Sequence, residues 1–223
     1  MIGRPHVHHR LTDSTNERAK QLAVAGAPHG TLVTADEQTA GRGRQGRTWS
    51  AAPGEALLLS VVLRAVDEVL PLRAAVAVAE SIPMPAQIKW PNDVWVGGKK
   101  VAGILVEGRP QEGWAVLGIG LNVTTRSFPG ELSEIATSLV LEGASVSREE
   151  VLGTLLGSLE RLLAADAADV LAAWRERDAL LGAEVAWNGG RGRAAGITDA
   201  GALRVETESG TVELDAGEVH LGR

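Results

Sequence analysis

Read for hydrophobic period, the chain shows two textures that meet near Gly182. In the first, Ala19, Leu22 and Ala23 recur at helical spacing, which predicts a short helix over residues 15–25; Ser14 and Glu17 have the composition of a capping box at its start. Residues 31–35 are short and β-branched, and residues 57–63 form a continuous apolar run, so both predict buried strands. Pro71 stands where a helix can begin, and the helix formers of residues 74–81 predict a helix covering one face of a sheet. Residues 87–90, 94–96, 101–107 and 114–123 read as consecutive strands, one pair joined by Gly97-Gly98 as a hairpin.

Ser147 with Glu150 gives a second capping box. Behind it Val151, Leu152, Leu155, Leu156, Leu159, Leu162 and Leu163 follow at helical spacing, and residues 170–180 predict a further helix carrying Trp174. Strands followed by helices, without regular βαβ alternation, predict an α+β domain on a mixed or mostly antiparallel sheet. Beyond Gly182 the pattern becomes short β segments separated by Asn188-Gly189-Gly190, Asp199-Ala200-Gly201 and Ser209-Gly210. This predicts a small β-barrel over residues 182–223, docked on a main domain of residues 1–181.

Composition narrows the chemistry. The chain has 223 residues, 44% hydrophobic, no Cys and no Tyr, with one Phe and six Trp. Without cysteine there is no disulfide framework and no thiolate site or nucleophile. No signal core or membrane-length apolar run is seen, so a cytoplasmic protein without membrane contact is expected. A net charge of −6 argues against a general nucleic-acid binder and confines any anion site to a local patch.

That patch is Gly41-Arg42-Gly43-Arg44-Gln45-Gly46-Arg47, closed by Trp49 and lacking any acid between Thr39 and Gly54. Glycines allow close approach of backbone to an anion, and guanidinium forks match phosphate and carboxylate oxygens. A solvated basic turn or an RNA contact satisfies the same motif equally well. Lys100 begins a strand that is apolar on both faces and so must find an anion or reach water. Asn92-Asp93 has the composition of a turn, and Gly118 and Gly120 weaken a buried strand unless something approaches closely. The five histidines have no metal-ligand spacing and receive no role.

Ser14-Thr15-Asn16, the arginine-glycine loop with Trp49, Lys89-Trp90-Pro91-Asn92-Asp93, Lys100 to Glu107 and Gly118-Ile119-Gly120-Leu121-Asn122 occur in the order seen in biotin protein ligases. The chain resembles that family from about Thr12 to its end. The resemblance implies a catalytic domain like those of class II aminoacyl-tRNA synthetases and a small SH3-like β-barrel. It also implies formation of biotinyl-5′-AMP from biotin and ATP, with Mg2+, and transfer of biotin to a lysine of a biotin carboxyl carrier protein domain. Arg42 and Lys100 are then the catalytic pair. Ser14, Thr15, Asn16, Gln38, Gly41, Arg42, Arg44, Lys100, Gly103 and Leu105 match biotin-binding positions. Arg42, Arg44, Arg47, Trp49, Asn92, Asp93, Lys100 and Asn122 match the ATP side, with Asp93 near a metal carried on the phosphates. Family members that repress transcription carry a helix-turn-helix domain before the Ser-Thr-Asn segment, whereas thirteen residues precede Ser14, so no sequence-specific DNA binding is expected. Arg223 is a candidate for the terminal arginine that reaches the nucleotide in relatives. A lipoate ligase or octanoyl transferase is the nearest rival reading; a non-catalytic RNA-binding protein is the rival from another class.

Overall fold

The computed structural model describes residues 1–64, 66–215 and 217–222, so the expectation about Arg223 lies outside the described residues. In chain order the elements are β1 (His6–Thr12), α1 (Thr15–Val24), β2 (Leu32–Gln38), β3 (Ala56–Arg64), α2 (Leu70–Ser81), β4 (Gln87–Lys89), β5 (Asp93–Val96), β6 (Lys99–Arg109) and β7 (Trp114–Asn122). They are followed by α3 (Leu132–Ile135), α4 (Arg148–Ala164), α5 (Ala167–Arg175), β8 (Glu184–Trp187), β9 (Gly190–Ile197), β10 (Leu203–Thr207), β11 (Gly210–Leu214) and β12 (Val219–Leu221). The first seven strands form one mixed sheet in the order β1-β2-β3-β7-β6-β5-β4, in which β1 runs parallel to β2 and the other pairs are antiparallel. The expected α+β class is therefore the one observed.

The apolar run of β3 places it in the middle of this sheet, with buried side chains on both faces. One face packs against α2, α4 and α5 in the main core, where Leu59, Val61, Leu117, Leu155 and Trp174 meet. Alternation sends Leu58, Ser60 and Val62 to the other face, opposite Gly120, Gly118 and Val116 of β7. Helix α1 covers only part of this second face, where Ala19 and Ala23 pack on Val33, Val62, Trp114 and Val116. The part left open, towards β6 and β5, becomes the floor of a cavity.

The Ser147–Glu150 capping box forms, with reciprocal backbone bonds of 3.2 and 2.8 Å. The one expected at Ser14 does not: Ser14 makes no side-chain capping bond, and Glu17 is drawn instead to Lys20 and Arg42. Helix α5 stops at Arg175 rather than reaching residue 180. The chain beyond it extends to bond the free edge of β4, through Ile88 N–H to the Arg177 carbonyl and Ala179 N–H to the Ile88 carbonyl. Arg73 is buried and ties this layer together, binding Asp67 and donating to the carbonyls of Leu162 and Ala165 at 2.6 and 2.7 Å.

The last five strands form an antiparallel sheet in the order β11-β10-β9-β8-β12. Its outer strands, β11 and β12, do not pair among the described residues, so the expected closed barrel is an open five-stranded sheet. Strand β12 has three residues and bonds β8 alone, while its flanks turn towards the cavity of the larger sheet. The two sheets are joined by the Trp90 indole N–H, which donates to the Gly201 carbonyl at 3.0 Å.

Candidate active site

The open part of the second face holds a cavity of about 650 Å³. Its floor comes from Leu58, Gly103, Leu105, Gly118 and Gly120, and its rims come from the start of α1, the arginine-glycine loop, the β4–β5 turn and the approach to β12. Gly103 and Gly120 are cross-strand partners, as are Leu105 and Gly118, so the three glycines strip one patch of the sheet of side chains. Two side chains settle on it. The Asn16 carboxamide presses on Gly118, with Cγ 2.8 Å from where a Cβ would lie, and the Trp49 ring lies on Gly120 and Gly103. The close approach that the glycines demanded is thus made by the protein itself.

The loop carrying Trp49 is a narrow hairpin. Gly43 N–H donates to the Arg47 carbonyl at 2.7 Å and Trp49 N–H to the Gly41 carbonyl at 3.0 Å, while Gln45 and Gly46 turn the tip at φ 55° and 75°. Gly46 fits that left-handed tip because it has no Cβ. Gly41 does not line the cavity as expected; a Cβ there would run into the Trp49 carbonyl oxygen, so it is needed to close the hairpin.

One end of the cavity is polar and uncharged. Thr15 donates its backbone N–H and its hydroxyl to Gln38 Oε1 at 2.7 and 3.1 Å. Beneath them the buried Ser60 hydroxyl lies 2.8 Å from Thr15 Oγ1 and 2.5 Å from Asn16 Oδ1. The Asn16 amide donates to Glu107 at 2.8 Å, and Ser14 completes this wall.

The other end is cationic. Lys100 finds its anion in Asp93 at 2.7 Å and stands over the Trp49 ring, 5.7 Å from the centroid. Arg44 donates to Asn92 Oδ1 at 3.2 Å and to the Gly217 carbonyl at 3.3 Å, and Arg47 pairs with Glu218 at 2.8 Å. Lys89 lies over the Trp95 ring at 5.4 Å. Burial holds the Arg44 guanidinium and the Lys89 ammonium below their ordinary pKa values, partly opposed in both cases by Asp93 and Glu218. Desolvated cations of this kind bind an incoming anion more strongly than solvated ones do.

Arg42 also lines the cavity, but its guanidinium turns to Glu17 and to Glu107, the latter at 3.4 Å. It anchors the root of the loop and would have to leave both carboxylates to reach a ligand's phosphate. Asn122 lines the floor while donating its amide to the Thr137 carbonyl at 3.0 Å. The neighbouring Lys99 donates to the Ser133 carbonyl at 2.9 Å in an exposed contact.

Sequence reasoning missed several residues that line this cavity or brace it from outside. Ser60 was legible as a lone hydroxyl in an apolar strand. Glu107 gave no signal, because its partners are distant in sequence. The apolar rim of Phe128, Leu132 and Ile135, together with Glu218 and His220, reaches the cavity only through the fold, and Lys89, present in its motif without a role, lines the cavity as well.

Comparison with known proteins matches this geometry. The family model for the biotin/lipoate A/B protein ligase family matches residues 8–123, and that for the biotin protein ligase C terminal domain matches residues 182–222. The chain belongs to the biotin protein ligase family. Among biotin protein ligases and their relatives, the biotin acetyl-CoA-carboxylase ligase of Mycobacterium tuberculosis is 38% identical over 234 residues, spanning 94% of this chain and 86% of the relative. The bifunctional ligase/repressor of Bacillus spizizenii is 35% identical over 245 residues, spanning 100% of this chain and 75% of its own. The structure of the biotin protein ligase from Aquifex aeolicus in complex with biotin and ATP superposes with a TM-score of 0.85 at 32% identity, covering 99% of each chain. No helix among the described residues is long and apolar enough to cross a membrane.

Proposed function

We propose that this chain is an ATP-dependent biotin protein ligase, forming biotinyl-5′-AMP and passing biotin to a lysine of a biotin carboxyl carrier protein domain of an acyl-CoA carboxylase. The observation that carries the reading is one cavity with a polar, uncharged end and a cationic end, spanned by a floor of glycines. A ligand with an uncharged polar head, an apolar chain and a carboxylate fits that order of surfaces, with its carboxylate meeting a nucleotide near Lys100.

At the polar end, Thr15 spends its proton on Gln38 Oε1, which leaves Thr15 an acceptor and the Gln38 amide nitrogen a donor. A cyclic urea offers one acceptor and two donors to such a wall. A dithiolane offers neither, which is why biotin is favoured over lipoate. Leu105 and the Trp49 ring, which lies on Gly103 and Gly120, give the thioether ring and the alkyl chain an apolar surface.

In the first step a biotin carboxylate oxygen attacks the α-phosphorus of ATP, the bond to the β-phosphate oxygen breaks, and pyrophosphate leaves. In the second, the acceptor lysine amine attacks the acyl carbon, AMP leaves with the bonding pair, and the amine loses a proton. Both steps build negative charge on oxygen. Fixed cations aimed at that charge supply the largest catalytic contribution. Lys100 serves the reacting centre, and Arg44 and Arg47 exchange Asn92 and Glu218 for nucleotide phosphates. Arg42 joins them on release from Glu17 and Glu107. The apolar rim of Phe128, Leu132 and Ile135 gives the purine ring a wall, and Trp49 shields the mixed anhydride from water.

No cluster of three or more His, Asp or Glu suited to a metal occurs among the described residues. Magnesium would therefore be held mainly by the phosphates, with Asp93 as its protein neighbour, and would offset the charge of the triphosphate. The division into a catalytic domain of residues 1–181 and a terminal module of residues 182–223 belongs to this proposal.

The test is ATP-dependent retention of radiolabelled ligand on a filter. Biotin retained and lipoate not retained is expected; the reverse overturns the choice of substrate. Salt-sensitive RNA binding that survives Lys100→Ala, with neither small molecule retained, would support the RNA-binding alternative.

A further inference from the structure

Glu107 lies at the end of β6 furthest from Lys100 and has no direct place in the adenylation chemistry. Its two carboxylate oxygens nonetheless serve two different parts of the site. Oε2 accepts the Asn16 amide at 2.8 Å, and Oε1 faces Lys20 at 3.2 Å and Arg42 at 3.4 Å. Asn16 is wedged between the Ser60 hydroxyl and Gly118, so it belongs to the wall of the polar end. Arg42 is the root of the hairpin whose other arginines face the cationic end. Glu17 completes the cluster by pairing with both Lys20 and Arg42.

From this geometry we propose that Glu107 is a positioning residue that couples the two ends: the carboxylate orienting the Asn16 wall also sets the anchorage of the arginine loop. A ligand head that presses on Asn16 shifts the carboxylate and so alters its hold on Arg42. Two sites that share a rigid charged element in this way have affinities that depend on each other, and the dependence is reciprocal. A purely structural role, pinning α1 to the sheet, would change stability but would leave the two affinities independent.

The inference rests on the ligase reading, and the experiment separates the two. Biotin affinity of the full chain is measured by calorimetry, with and without a non-hydrolysable ATP analogue and Mg2+, for the wild type and for Glu107→Gln. The wild type is expected to bind biotin on the order of tenfold more tightly with the analogue present, and Glu107→Gln to lose most of that ratio while still binding each ligand alone. Should Glu107→Gln fail to fold, Glu107→Asp keeps the charge but is too short to serve both partners, and the same loss is expected. An unchanged ratio in either folded variant, or no ratio in a wild type that binds both ligands, overturns the coupling. A wild type that binds neither ligand overturns the ligase reading instead.

Discussion

Replacing Gly118 by alanine tests whether the glycine floor exists for the close approaches made on it. The new Cβ would lie 2.8 Å from Asn16 Cγ and 2.9 Å from its Nδ2, so the carboxamide must move. Asn16 is 4% exposed and cannot swing into water without breaking its bonds to Ser60 and Glu107. Loss of the neutral bond costs about 1 kcal/mol and loss of the carboxylate bond about 1.5–3 kcal/mol. Overpacking adds about 1–3 kcal/mol, so the variant should lose roughly 3.5–7 kcal/mol. For a chain of this size that corresponds to a fall in Tm of about 7–28 °C by calorimetry. The double variant Gly118→Ala with Asn16→Ala frees the space and should be more stable than the sum of the single effects by about 1–3 kcal/mol. A Tm for Gly118→Ala within about 2 °C of wild type would refute the reasoning.

Lys100→Ala should lower ATP–pyrophosphate exchange by a factor on the order of a hundred or more, as loss of a charge-stabilising donor does elsewhere; a rate within a few-fold of wild type would remove Lys100 from the reacting centre. Arg73→Met strips the cap from α4 and should cost about 2–3 kcal/mol in denaturant unfolding, the partner Asp67 being half in water; an unchanged midpoint would contradict the packing described. Burial raises the Asp178 carboxyl above its ordinary pKa, so the folded state favours its protonated form and loses that advantage as pH rises. Asp178→Asn should therefore gain stability relative to wild type as pH rises above the ordinary carboxyl pKa of about 4, and a difference independent of pH would contradict the assignment.

The parts of the fold legible in the sequence are those fixed by local periodicity. The seven apolar positions of the long helix predicted α4 with its cap, and the unbroken apolar run predicted β3 as a buried strand. Strand β1 was invisible, because His6, His8, His9 and Arg10 carry no apolar alternation and the strand exists through parallel pairing with β2 at the sheet edge. The Ser14–Glu17 pair misled for a related reason: a charged partner from the loop, Arg42, competes for the acid that would have capped the helix. At the site, the loop arginines stood out because no acid lies between Thr39 and Gly54, and Lys100 because it begins an apolar strand. Glu107 did not, since it meets Asn16 across 91 residues of chain. The barrel was expected from turn spacing and from the family resemblance, and turn spacing sets strand lengths but not which outer strands meet.

Incubation of the purified chain with biotin, ATP and Mg2+, followed by mass spectrometry of the small molecules, tests the ligase chemistry without any knowledge of the acceptor. Accumulation of biotinyl-5′-AMP, abolished when biotin is omitted, is the predicted result. Unchanged ATP and biotin from a folded chain that binds both would show that the polar and cationic ends do not act on one another.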